Sequence, residues 1–323
     1  VVEGAREPIA MRELARSRFV NIAGLALALV ILGIIVQSQS EFFLRQNNLL
    51  NIGRAVAVTG VIAAVTTIVL IGGELDLSIG AALGLGGIVA ATVLDQGAPL
   101  IVVLAAGIIT GLVVGLLNAG LIVGIGVNPL IATLGTMFAL RGAAYIWTNG
   151  SSVVVFGNEE FAFLGNGKVA GIPFSVIVLG AVFVLVGAIL TWTRFGSNVY
   201  AIGGDRDASR LAGVPVRRVR ITIYLLSAVA AAFAGMMLAS VNGSADPISG
   251  TGIELVVIGS VILGGTALTG GRGGVVGTLL GVIFLGALAN GMNLMGLPGY
   301  WQIFVQGIVL IAAVVLDKLV NRS

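Results

Sequence analysis

Between Val20 and Leu316 the sequence is a succession of apolar runs, 16 to 26 residues long, cut by short polar breaks. At about 1.5 Å of rise per helical residue, even the shortest run is about 24 Å long. A bilayer hydrocarbon core about 30 Å thick takes roughly 20 helical residues. The pattern therefore predicts membrane-spanning helices, some of them short or broken. Composition agrees: 58% of the residues are hydrophobic, only 10% are charged, and mean hydropathy is +1.11. A soluble domain carries about 25% charged residues. The 49 glycines suit membrane helices that approach closely.

The same composition excludes several classes of function. Cysteine and histidine are both absent, which removes disulfides, thiolate chemistry and the commonest metal ligand and proton shuttle. No paired carboxylates lie deep in a run, so an intramembrane enzyme is a poor reading; no catalytic residue and no metal ligand is assigned. No GxxxxGK[ST] sequence occurs, so the chain has no P-loop of its own. The net charge of +3 comes from loop arginines, with no basic stripe interleaved with aromatics, so no nucleic-acid partner is expected.

The predicted fold is all-α: one transmembrane domain, residues 1–323, of about ten helices. The expected spans are 20–36, 55–71, 79–94, 100–125, 130–147, 174–192, 221–241, 253–268, 275–290 and 301–316. Basic residues precede the first run, which no small-residue cleavage pattern closes, so it is read as a retained span. With the N-terminus inside, 13 of the 17 Lys and Arg fall in inside segments: 1–19, 193–220, Arg272 and the C-terminal tail. Only Arg45, Arg54 and Lys168 fall outside, and Arg141 lies within a span. The positive-inside rule thus places both termini in the cytoplasm. Breaks such as Gly72–Ser78 are tolerated at membrane depth only when buried in protein or lining a wet cavity. Ile71-Gly72-Gly73 is echoed by Leu263-Gly264-Gly265, 192 residues later.

The one long polar interval, 193–220, holds six arginines. Asp205 can cap a first helical turn. Gly213 stands where a left-handed residue ends a helix, and Pro215 stops continuation. Between them Ala208, Leu211 and Ala212 form one apolar face, with Arg206 and Arg210 opposite. A helix of about two turns is too short to be stable alone, so a partner groove would hold it. A solvated cytoplasmic loop fits the same composition, and the residues alone leave both readings open.

Other polar residues carry two readings each. Asp76 caps the third span or braces a translocation path; the cap is the simpler. Glu74 reads as interfacial. Arg141 is buried in the bundle or snorkels outward. The amides Asn118, Asn128, Asn242, Asn290 and Asn293 bond between helices or line a sugar path, since sugars are held by hydrogen bonds. Trp147, Trp192 and Trp301, at span ends, read as interfacial anchors.

Five blocks in order resemble the permease subunits of bacterial ABC importers for sugars, the ribose, xylose and galactose branch. Gly73-Glu74-Leu75-Asp76-Leu77-Ser78-Ile79-Gly80 resembles the family's GGIDLSVG signature, with Glu74 where a glycine is usual. Ile131–Thr136 with Arg141-Gly142 and Thr148-Asn149-Gly150 resembles a second block. Tyr200–Gly204 continuing to Arg210–Val214 resembles the cytoplasmic loop, Ile262–Thr266 with Gly270–Gly273 a fourth, and Asn290–Leu294 a last. Asp207-Ala208-Ser209 with Gly213 keeps the spacing of the family's EAA-x-x-x-G element, which docks on the ATPase.

The resemblance implies that Asp205, Asp207, Ala208, Ser209, Arg210, Leu211, Gly213 and Val214 form the ATPase-coupling segment of a pore-forming subunit in the bacterial inner membrane. It implies a cytoplasmic ATPase that uses ATP and Mg, a second permease copy (identical or a close paralogue) and a periplasmic or lipid-anchored sugar-binding protein. This chain itself would bind no cofactor, and lipids would surround it. Asp76, Asn118, Asn128, Arg141, Asn290 and Asn293 are the candidates for a substrate path worked by alternating access. An ion-coupled secondary transporter is the alternative; Glu74, Asp76 and Glu254 are its available acids.

Overall fold

A computed structural model describes residues 9–320. The main helices are α1 (Ile9–Gln39), α2 (Gln46–Ile71), α3 (Ile79–Asp95), α4 (Leu100–Ala119), which ends in a π-helical turn Gly120–Ile125, and α5 (Pro129–Thr148). Helix α6 (Glu159–Asn166) follows, then α7 (Phe174–Trp192), α8 (Arg194–Gly204), α9 (Arg206–Leu211) and α10 (Val216–Asn242). The chain ends with α11 (Ile253–Leu263), α12 (Val275–Leu294) and α13 (Gly299–Val320). Among the described residues seven helices are long and apolar enough to cross a membrane, and Ile79–Asp95, Ile253–Leu263 and Gly299–Ala312 are shorter apolar helices. The strands present are two-residue pairs, so the molecule is an all-α membrane protein.

The core is built on α2, α3 and α10. Their facing residues are small: Gly87 of α3 meets the backbone of Gly235 on α10, where a Cβ would overlap it. Such contacts let two helices approach until their backbones touch. Around this core, α4, α5 and α13 present large apolar side chains outward, among them Ile131, Ile146 and Ile303. A contiguous apolar exterior is the surface that lipid or a partner subunit covers.

The breaks sort to two ends of the bundle. At one end Gly271 N–H donates to Ile71 O at 2.8 Å, and Tyr200 Oη donates to Gly273 O at 3.0 Å. The breaks after α2, between α7 and α10, and after α11 therefore meet. At the other end Val153 and Val154 pair antiparallel with Ser244 and Ala245, and Asn48 and Asn290 exchange amide bonds at 2.9 and 3.0 Å. The 192-residue echo has a structural counterpart. Glu74 N–H bonds Val69 O at 3.0 Å and Thr266 N–H bonds Val261 O at 3.2 Å, both six-residue helix terminations. Gly73 and Gly265 both have positive φ, at 68° and 85°.

Four expectations are corrected. Helix α1 begins at Ile9, inside the segment 1–19 read as a polar lead; residues 1–8 lie outside the description. The interval 193–220 is mostly helical, and α10 starts at Val216 rather than Ile221. The eighth span is not a continuous helix: α11 has 11 residues, about 16 Å. The polar segment before it, read as an outer loop, is drawn into the bundle. Ser249 and Gly250 lie against α3 at Gly84 and Gly80, well below the end where Ala245 pairs with Val153.

Candidate functional site

The short helix α9 has the ends its sequence calls for. Asp205 is its N-cap: one carboxylate oxygen accepts from the amides of Asp207 and Ala208, each at 2.9 Å. This satisfies two otherwise orphaned donors. At the other end Gly213 has φ 81°, and its amide and that of Val214 bond back to Arg210 O and Ser209 O at 3.1 and 3.0 Å. Ser209 is buried against the bundle, while Asp207, Ala208, Arg210 and Ala212 are exposed. Leu211 is 90% exposed. An apolar tip in water, on a helix of six residues, is the feature that a partner groove would cover.

Beneath α9 lies Glu74, only 2% exposed and not the interfacial residue its position predicts. Its carboxylate accepts from Arg206 Nη2 at 2.6 Å, from Arg220 Nε and Nη2 at 2.5 and 3.1 Å, and from Tyr224 Oη at 2.6 Å. Arg220 and Tyr224 are four residues apart on one face of α10. A buried carboxylate is tolerable only when paired and hydrogen-bonded in this way. The residue that departs from the family pattern is thus the node joining the break after α2, the first residue of α9, and α10. A cavity of about 440 Å³, lined by Arg206, Arg210, Arg217, Arg218 and Arg220, reaches Val123 of the π-helical turn.

Asp76 lies two residues further along the break. It accepts from the amide and hydroxyl of Ser78 at 2.9 and 2.6 Å and from Ser227 Oγ of α10 at 2.7 Å. Asn118 of α4 donates to Ser78 Oγ at 2.8 Å. Asp76 is therefore a cap and a brace together, linking the start of α3 to α10 and, through Ser78, to α4. All four residues are buried.

Arg141 points into the bundle. Its Nη1 donates to Pro247 O at 2.7 Å and Ser249 O at 2.6 Å. Backbone outside a helix has carbonyls with no partner of its own, and at membrane depth no water replaces them. The guanidinium supplies the missing donors to the segment between Ala245 and Ile253.

Of the remaining amides, Asn128 caps α5 by accepting from Leu130 N–H at 2.9 Å, and Asn242 is exposed at the end of α10. Asn293 accepts from Gln302 at 3.2 Å. Trp147 donates to Thr92 at 3.2 Å, and all three tryptophans are exposed at helix ends. Asn290 and Asn293 border a cavity of about 230 Å³ between α2, α11, α12 and α13. Beside it opens a larger one of about 900 Å³. Its walls are mostly apolar, with Asn51, Arg54, Thr59, Thr251 and Gln306 as the polar points. Asp76, Asn118, Asn128 and Arg141 do not line either cavity. Sequence reasoning did not reach Asn51, Thr59, Thr251 and Gln306, which resemble any interfacial or interhelical polar residue until the walls are assembled.

Residues 48–314 match the family described as "Branched-chain amino acid transport system / permease component". The chain is similar to the ribose import permease RbsC of Bacillus subtilis, 41% identical over 90% of this chain and 91% of the relative. RbsC of Escherichia coli K12 is 39% identical over 90% and 92%. The L-arabinose ABC transporter permease AraH of Azospirillum brasilense is 36% identical over 93% and 88%. No solved structure matches the chain. With its seven long apolar helices, the chain is a multi-pass inner-membrane protein and belongs to the family of transport-system permease components.

Proposed function

We propose that this chain forms the solute path of an ATP-driven sugar importer and works by alternating access. The observation that carries the coupling half of the reading is α9: a capped helix whose apolar tip, Leu211, stands 90% exposed on the polar end of the bundle. The sugar half rests on the names of the relatives, ribose and arabinose permeases. The ATPase would bind α9 from the cytoplasm, taking ATP and Mg as its own ligands. A second permease copy would close the open side of the 900 Å³ cavity, and a sugar-binding protein would dock at the opposite end, near the paired segments around Val153 and Ser244. Asn51, Thr251 and Gln306 would offer hydrogen bonds to a passing polyol, with Asn290 and Asn293 beside them. Asp76, Asn118, Asn128 and Arg141 would hold the walls. Both termini would be cytoplasmic.

The family description favours a second reading for the solute, a branched-chain amino acid, and the apolar cavity walls suit it. Proteoliposomes holding the chain with its ATPase and binding protein distinguish these readings. ATP-dependent uptake of radiolabelled ribose or arabinose, without leucine uptake, is the expected result. Leucine uptake would replace the solute assignment. Uptake driven by an ion gradient without ATP would replace the importer reading with a secondary transporter.

A further inference from the structure

The Glu74 node has two unequal arms. Arg220 is 13% exposed and lies, with Tyr224, on a long helix in the core. This arm is fixed. Arg206 is 39% exposed and is the first residue of a six-residue helix, too short to hold its own position. This arm is exchangeable. The Arg206 end of the pair is screened by solvent, and its loss leaves the buried carboxylate paired with Arg220 and Tyr224, so the fold stands. Two residues beyond Glu74, Asp76 grips Ser227 on the same face of α10 that carries Arg220 and Tyr224, and α3 starts at Ile79. Beyond the short connection 212–215 that leads into α10, a displacement of α9 reaches the break that starts α3 through the Glu74 carboxylate.

We propose that Glu74 is a positioning residue for energy coupling: its carboxylate holds α9, through Arg206, in register with the break that starts α3. The inference rests on the importer reading above. It assigns a role to a side chain that the resemblance to the importer permeases leaves without one. Nearby glycines leave no slack for another route: a Cβ at Gly203 would overlap Ile71 O, so α8 is pressed on the end of α2 and the adjustable element is α9.

The test uses the complete transporter in proteoliposomes and reads ATP hydrolysed per radiolabelled ribose imported. Arg206→Gln should leave the melting temperature and ATPase co-purification unchanged but raise that ratio about tenfold, the upper range of what a residue on a coupling route changes. Arg206→Lys should restore most of it. Glu74→Gln also weakens the contacts to Arg220 and Tyr224, so it should raise the ratio at least as much, and adding Arg206→Gln to it should raise the ratio no further, because Arg206 acts only through Glu74. A normal ratio in Arg206→Gln, or additive effects in the double variant, would overturn the proposal while leaving the importer reading intact. Ribose uptake by the unaltered protein without ATP would remove both.

Discussion

Arg220 meets Glu74 with both Nε and Nη2, a two-point contact at 2.5 and 3.1 Å on a carboxylate that is fully shielded from solvent. A guanidinium fork suits a carboxylate in a way that an ammonium does not. Removing Glu74 strands the Arg220 guanidinium, and removing Arg220 leaves the buried carboxylate with Arg206 and Tyr224 alone. Glu74→Ala and Arg220→Ala should each destabilise the protein by on the order of 3 kcal/mol, read as a lowered melting temperature in detergent. Arg220→Lys should recover only part of that. Unchanged melting in both alanine variants would mean that the node carries no stability.

Arg141 sets a different prediction. Arg141→Ala leaves the carbonyls of Pro247 and Ser249 without donors, at about 1–3 kcal/mol each. The segment should loosen before the helices do. Cysteine placed at Thr251 should then react with a water-soluble maleimide faster in the Arg141→Ala background than with Arg141 present. Equal rates would show that the segment is held by packing alone.

The tip of α9 should be dispensable for folding and indispensable for transport. Leu211→Asp puts a charge on the docking face, and Gly213→Val forces a β-branched residue to φ 81°. Both should abolish ATP-driven uptake while the protein still inserts and melts normally. Uptake at the unaltered rate in Leu211→Asp, with its ATPase still bound, would make α9 a solvated loop.

Orientation is testable because the chain has no cysteine. Single cysteines at the exposed positions Ala212 and Lys168 should label from opposite sides of the membrane, Ala212 from the cytoplasm. Labelling from one side would refute the alternation.

The apolar runs made most of the fold legible, because the period and length of a span are written in consecutive residues. Helices α2, α4 with its π turn, and α7 end within a residue or so of where hydropathy ends them. The caps of α9 were legible for the same reason: Asp205 and Gly213 act within a few residues of themselves. The Glu74 node was not, since its arginines lie 132 and 146 positions away. Nor was the packing of Ser249 and Gly250 against α3, since Asp246 and Pro247 read as a loop. The side chain that holds this segment there is Arg141, 106 positions before Pro247. Contacts of that span leave no local periodicity to detect.

The descending segment before α11 also bears on how the chain enters a membrane. Eleven helical residues cannot bridge a hydrocarbon core, and without Arg141 the turns before them would carry the carbonyls of Pro247 and Ser249 bare into lipid. On its own this stretch has no stable place there. Synthesis runs from the N-terminus, so α3 and α5 emerge well before it, bringing the glycine-lined wall and the guanidinium that receive it. The protein assembles the receptacle first and delivers the misfit afterwards, and a translocating ribosome can release that stretch into company rather than into oil.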